Sequence, residues 1–419
     1  MAACILASDL TNVNLFALSP TCGAHQTCHS RMQYGNKAAL RLVHITSHGF
    51  VLELLVARKN TRIYGVTRMK ASTLKLTLAA TAVVASTQAM AGPVGYGAAT
   101  TGGGSKAAVN VATLADMAAK IKAYSGSGGL VLNYTGKFDF ATVKDVCAQW
   151  KKPAQTLEIK NKSDITIRGA ADSSANFGIR IVGDSSNVIV QNMTIGLLQG
   201  GEDADSISIE GTSSGKPSKI WVDHNTIFAS IKSCPGAGDA SFDGGIDMKK
   251  GANHITVSYN YVYNYQKVAL NGFSDKDTLN AGSLTTYHNN RFENVKSRLP
   301  LLRHGKAHIF NNYFGNVDTS GINVRMGAMA LIESNYFENV KNPVTSRDSS
   351  KLGYWDLRDN FVGSGITWGA PDSGTYANAT DWKTTKAYGP TGYTYTASAA
   401  AGVKAKAIAT AGARTNLAQ

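Results

Sequence analysis

Acidic side chains crowd one stretch of the 419-residue chain, and basic ones follow it closely. Gly201-Glu202-Asp203-Ala204-Asp205 sets two aspartates at i and i+2, a spacing that turns both to one face of a strand. Asp243-Gly-Gly-Ile-Asp247 holds a second pair four apart. Carboxylates that converge repel one another unless a cation sits among them. For an oxygen-only set outside a cell the natural ion is calcium, which takes roughly six to eight oxygen ligands in tolerant geometry. The competing reading is a scatter of separately solvated turn aspartates. Downstream come Lys249, Lys250, Lys267, Arg298, Arg303 and Arg325, with Arg298-Leu-Pro-Leu-Leu-Arg303 placing two guanidinium groups five residues apart. Taken alone, such a set reads as a solvated basic face. Beside a calcium site it suits a polyanion whose carboxylates repeat along a chain.

Those residues span more than a hundred positions, so the fold must bring them together. From about residue 156 short β-branched runs alternate with Gly, Asn, Asp and Ser: Ile165–Ile167, Ile179–Val182, Val188–Val190, Ile207–Ile209, Ile255–Val257 and Leu284–Tyr287. An Asn followed by aliphatic or aromatic residues recurs at Asn192, Asn225, Asn260, Asn290, Asn312, Asn335 and Asn360, at spacings of 33, 35, 30, 22, 23 and 25. That period fits a coil of three short strands per turn, with inserted loops in the longer turns. Each turn buries its apolar side only against its neighbours, and like Asn side chains stack into hydrogen-bonded ladders. Stacked rungs lie about 4.8 Å apart, which makes neighbours of carboxylates distant in sequence. The pattern predicts an all-β chain, a single-stranded right-handed parallel β-helix. An antiparallel sandwich is the rival, disfavoured because hairpin turns of the Asn-Gly type are nearly absent. Ahead of the coil, Leu114, Met117, Ala118 and Ile121 line one helical face after a Thr113/Asp116 cap, predicting a short amino-terminal helix over the open end.

The organisation at the amino end is unusual. Met69 opens MKASTLKLTLAATAVVASTQAMAG, with basic Lys70 and Lys75, an apolar stretch from Leu76 to Ala85 and a closing Ala89-Met90-Ala91. This reads as a secretory signal at 69–91. Residues 1–68 are then expected to be upstream over-translation, and 92–419 the mature domain. Of the five cysteines only Cys147 and Cys234 fall in that domain, and an even pair in an exported protein reads as one disulfide, or else as two buried thiols. The formal charge is +14, half of it in residues 1–91, which hold nine basic and two acidic side chains. A moderately basic exported body suggests an acidic partner, either nucleic acid or an acidic polysaccharide. The export signal disfavours nucleic acid. No apolar run reaches the roughly 18 residues that cross a bilayer, so no membrane anchor is expected.

The stretches SSANFGI (173–179), VIVQNMTIG (188–196), WVDHNTIF (221–228), TVSYNYVYN (256–264), SRLPLLRHGKAHIFNNYF (297–314) and NPVTSR (342–347) together resemble the polysaccharide lyase family of pectate and pectin lyases, and the bacterial pectate lyases above all. The resemblance runs from about Ala108 to Leu417. It implies calcium ligands at Asp205, Asp243 and Asp247, with Asp203 helping once substrate is present; Glu often stands in the family where Asp243 does here. It implies a catalytic arginine at Arg298, substrate carboxylates held by Lys249, Lys267, Arg303 and Arg325, and a Cys147–Cys234 disulfide. His224 falls on a structural Asp-His pair rather than on a catalytic group. The implied activity is calcium-dependent β-elimination on de-esterified polygalacturonate by a secreted, monomeric enzyme. The rivals are a pectin lyase acting on the methyl ester, a paired-acid hydrolase, whose carboxyl groups sit roughly 5–9.5 Å apart, and a non-catalytic calcium-binding polysaccharide module. A neutral ester would not need calcium or cationic clamps, and carboxylates among lysines and arginines stay ionised, which suits metal binding better than acid catalysis. An arginine base, ordinarily always protonated, predicts activity shifted to alkaline pH.

Overall fold

The structure, a computed structural model, describes the backbone of residues 28–34, 37–46 and 49–56, and residues 92–415 apart from 127, 202–203, 238–240 and 372–373. The chain divides into two units between Val83 and Val84. In the first, three strands, Cys28–Tyr34, Lys37–Thr46 and Gly49–Val56, form an antiparallel meander. The signal expected at 69–91 lies outside the described residues, and so do Glu202 and Asp203.

The second unit is the coil that the Asn period predicts. Its strands join three sheets of ten, nine and seven, here sheets A, B and C, and successive turns contribute to each in order. Pairing is parallel throughout except at one edge of sheet B, where Thr375–Asn378 runs antiparallel to Val344–Ser349. All six apolar runs lie within strands. The handedness is that of nearly all parallel crossovers, right-handed. The sandwich is thereby excluded.

Register explains why the sequence coils. In sheet B, Ile179, Ile207, Ile246 and Ala269 pair in one row, each fully or almost fully buried. Burying one such isoleucine stabilises by about 1.5–3 kcal/mol. Further along, Phe292, Phe314 and Phe337 stack through the interior with centroids 5.5 and 4.7 Å apart, and Trp382 closes the stack 5.5 Å from Phe337.

The corners carry the Asn signal. At each turn a residue in the left-handed region precedes the ladder position: His224 (φ 50°), Tyr259 (53°), Asn289 (56°), Asn311 (53°), Ser334 (50°) and Asp359 (48°). The next residue is the ladder Asn, whose amide donates to the Asn one turn on, at 2.9 to 3.0 Å from Asn225 through Asn360. Asn192 is the exception. Thr226 pairs with Thr194, so Asn225 lies level with Met193, and Asn192 is itself the left-handed residue (φ 57°). Its amide goes instead to the Gly169 and Arg414 carbonyls.

Helix α1 (Leu114–Ala123) starts at Thr113, whose hydroxyl accepts from the Asp116 amide at 3.0 Å. Met117 and Ile121 are buried in the cluster that holds Leu157 and Ile159 of the first sheet B strand. Ala118, expected on that face, is exposed. Ahead of α1 the chain straps across sheet A. The Tyr96, Gly97 and Gly103 amides donate to the hydroxyls of Thr286, Thr256 and Thr166, each at 3.0 Å. From the far end of the sequence Tyr388 and Tyr393 meet the same strap, through the Tyr96 hydroxyl (2.9 Å) and the Thr286 hydroxyl (3.0 Å). Cys147, in α2 (Val146–Trp150), is bonded to Cys234. Among the described residues no helix is long and apolar enough to cross a membrane.

Candidate active site

Four adjacent strands of sheet B, and the segments that enter the strands, carry the charged groups singled out in the sequence; Asp205, expected on a strand face, stands ahead of Ile207–Glu210, and Arg298 stands ahead of Leu301–Arg303. In Asp243–Lys249 the side chains of Ile246 and Met248 are fully buried, which turns Asp247 and Lys249 to the outer face. Ser208 pairs with Asp247 on one side and Leu270 pairs with it on the other. Asp243 pairs with Lys267, and Lys267 bridges to Ser297, next to Arg298. One strand on, Arg303 pairs with Arg325. Asp205, Asp243, Asp247, Lys249, Lys267, Arg298, Arg303 and Arg325 thus gather on one face; Asp203 lies outside the described residues.

The four-residue spacing of Asp243 and Asp247 suits a turn that leads into a strand. They occupy one strand, and the strand bulges between Asp243 and Ile246. Gly244 makes this possible. Its φ is +80°, and a Cβ there would fall 1.7 Å from Asp205 Oδ1. Only glycine lets the Asp205 carboxylate come against this backbone. Below it, the Gly244 carbonyl accepts from the Ser206 amide (2.9 Å) and from the fully buried Tyr265 hydroxyl (3.1 Å), which also meets Ser206 Oγ at 3.0 Å.

Lys249 Nζ lies 2.7 Å from Asp205 Oδ2 and 3.4 Å from Asp247 Oδ2. Lys267 Nζ is 3.3 Å from Asp243 Oδ2, and Arg298 Nη1 is 3.8 Å from Asp243 Oδ1. Burial, and then the Asp205 charge, push the Asp247 carboxyl up to about 8 against the pull of Lys249 and Arg298. Burial likewise raises Asp205, with Lys249 opposing. Burial works against the Lys249 ammonium, but Asp247 and Asp205 outweigh it and hold the group above its usual range. Burial thus pulls Asp205 and Asp247 toward the protonated form, where the neighbouring lysines and arginines were expected to keep them ionised, and leaves the pair short of positive charge.

Among the described residues no three His, Cys, Asp or Glu side chains are drawn close enough to hold a metal unaided; the Lys249 ammonium occupies the space between Asp205 and Asp247. Two observations nevertheless fit a hard cation. The donors are all carboxylate oxygens, and Asp243 Oδ1 is buried without a hydrogen-bond partner.

Arg298 sits in the left-handed region (φ 65°), before the cis Leu299–Pro300 peptide bond. The same region recurs at the corners of the coil, so here it marks the bend that carries the chain into the strand Leu301–Arg303. Arg303 donates to Asp275 Oδ1 (2.7 Å) and to the Gly272 carbonyl (2.9 Å). Arg325 meets Asp348 at 3.3 Å, and burial followed by the Arg303 charge lowers it to about 10. Three members of this site were not anticipated. Arg347, 3.4 Å from Asp348, ends the NPVTSR stretch, which by itself assigns it no role. Asp275 and Tyr265 carry no local sequence signal. His224 stands apart on sheet A, where its Nδ1 meets the buried Asp223 carboxylate at 2.6 Å and its ring stacks on Tyr259.

A family model described as pectate lyase matches residues 64–416. Pectate lyase 3 of Pectobacterium carotovorum subsp. carotovorum is 44% identical over 312 residues, covering 71% of this chain and 81% of that protein. The solved structure of pectate lyase II from Xanthomonas campestris pv. campestris is 74% identical, covers 78% of this chain and all of that one, and has a TM-score of 0.77. Pectate lyase C of Erwinia chrysanthemi, solved with Ca2+, is 39% identical over 78% of this chain and 98% of its own, with a TM-score of 0.72. A variant of the same enzyme was solved with pentagalacturonic acid. Similarity across this much of the chain, on a shared β-helix, makes it a member of the pectate lyase family and a polysaccharide lyase.

Proposed function

We propose that the chain is a secreted, calcium-dependent pectate lyase that cleaves de-esterified α-1,4-polygalacturonate by β-elimination, leaving 4,5-unsaturated ends. The observation that carries this reading is the facing of Asp205, Asp243 and Asp247 by Lys249, Lys267, Arg298, Arg303 and Arg325 on neighbouring strands. The Ca2+ in the crystal of the Erwinia enzyme and the pentagalacturonic acid in its variant support it from outside the chain.

Asp205, Asp243 and Asp247 would hold calcium, with Asp203 joining in the substrate complex. Bound there, calcium supplies positive charge beside the sugar's C6 carboxylate, which acidifies the C5 proton. Lys249, Lys267, Arg303 and Arg325 fix the carboxylates of successive sugars, so the polymer lies in register with the rungs. Arg298 removes the C5 proton. The freed electron pair forms the C4–C5 double bond, the C4–O bond breaks, and the departing oxygen takes a proton from solvent. A guanidinium must lose its proton to act so, and turnover therefore rises as the medium turns alkaline. Export through the segment 69–91 and action as a monomer complete the reading.

The test is ultraviolet absorbance of the unsaturated product during incubation with polygalacturonate. Product that needs calcium and disappears with a chelator is expected; binding without product would replace the lyase by a polysaccharide-binding module. Arg298→Lys should keep the fold and lose at least about a thousandfold in kcat, within the span of general acid–base catalysis plus lost positioning. Turnover near that of the parent would reject Arg298 as the base.

A further inference from the structure

The strand Lys267–Asn271 ends beside Arg303, and the loop that follows is anchored along the ends of the neighbouring strands. Asp275 accepts from Arg303 Nε at 2.7 Å, and from the Ser350 amide and hydroxyl at 3.2 Å each. The Asp275 carbonyl meets His304 Nε2 at 2.9 Å, and the Gly272 carbonyl accepts from Arg303 at 2.9 Å. The loop therefore reaches from its own strand across to the turn after Val344–Ser349, three strands along sheet B. On this fixed wall stands Phe273, 49% exposed. Lys250 Nζ lies 5.7 Å from the centre of its ring, and the same ammonium is paired with Glu210 on the outer face of sheet B.

A single exposed phenylalanine is ordinarily unremarkable. Here the segment that presents it is held by the same arginine that faces the substrate groove, and an ammonium hangs over its ring. An aromatic face packs against the C–H face of a pyranose, and a uronate in that position would find an ammonium for its carboxylate. We propose that Phe273 and Lys250 form a further sugar subsite at the flank of the groove, where a galacturonosyl unit stacks on the Phe273 ring one strand from Arg303, on the Lys249 side. The inference rests on the lyase reading above. It makes Phe273 a determinant of preferred chain length: oligomers long enough to reach the ring gain binding that shorter ones lack.

The experiment compares kcat/KM for hexagalacturonate and trigalacturonate. In Phe273→Ala the hexamer-to-trimer ratio should fall about tenfold, the scale of one aromatic contact. Phe273→Tyr, which keeps the face, should hold the parental ratio. An unchanged ratio in Phe273→Ala overturns the subsite. A second readout does not depend on turnover: Phe273→Trp, built on Arg298→Lys, should change its fluorescence on addition of hexagalacturonate, by more than it does with the trimer. Equal responses to both oligomers also overturn the subsite. Absence of unsaturated product from the parent enzyme would instead overturn the lyase reading itself, so the two failures are told apart.

Discussion

At the scale of single residues the site depends on one missing Cβ as much as on its charges. Gly244 carries a positive φ and leaves the space that the Asp205 carboxylate fills. In Gly244→Ala the new methyl and the strained backbone displace Asp205, while the core row of Ile207 and Ile246 stays intact. Calcium needed for half-maximal activity should rise at least about tenfold with a small change in melting temperature, checked by calcium titration beside thermal unfolding. The charged set was legible because it is dense: Asp205, Asp243, Asp247 and the basic residues after them crowd about 120 positions. Tyr265 and Asp275 were not legible. Their roles come from what the coil stacks beneath or beside them, and nothing local in the sequence marks a hydroxyl that meets a carbonyl 21 residues away.

At the scale of elements the rungs are fixed by their corners. Each corner pairs a left-handed residue with an Asn, and the Asn fixes both its own bend and the next one. Asn290 accepts from the Asn260 backbone and side-chain amides and donates to the Val257 carbonyl and to Asn312. Asn290→Ala strands several buried groups at once, each costing about 1–3 kcal/mol if left unmet. A loss of at least about 2 kcal/mol is expected in urea unfolding, whereas Asn192→Ala, outside the ladder, should cost less. The period was readable because the ladder demands one residue type at one place per turn. The misplaced first member shows the limit: Asn suits the left-handed position as well as the ladder position beside it. Spacing in sequence cannot separate adjacent corner sites, and only the strand register does.

At the scale of the whole molecule, stability is tied to pH through groups far from the groove. Burial lowers the His288 imidazole to about 4, and its ring packs among Tyr259, Phe310 and Asn289. The unfolded chain takes this proton near pH 6.5 but the folded one refuses it until about pH 4. Stability is thus full above pH 6.5 and falls as pH drops through that window, by about 3 kcal/mol for this group. His308, also lowered by burial, adds in the same direction. Urea unfolding at pH 7 and pH 5 should reveal the loss, and His288→Gln should shrink the difference; an undiminished difference would point to other groups. The overall architecture was evident in the repeat, but the closing of the coil's flank was not, because the strap around Tyr96 holds by single hydrogen bonds to a row of threonines with no periodic signal. That strap has a consequence for synthesis. Tyr96 emerges from the ribosome nearly three hundred residues ahead of the Tyr388 whose hydroxyl meets its own. The coil can wind rung by rung while translation proceeds and take up the strap on its threonines, yet the tyrosine contact that closes over the strap waits for the last tenth of the polypeptide, and a nascent chain halted before then would offer proteases a strap held by its amides alone.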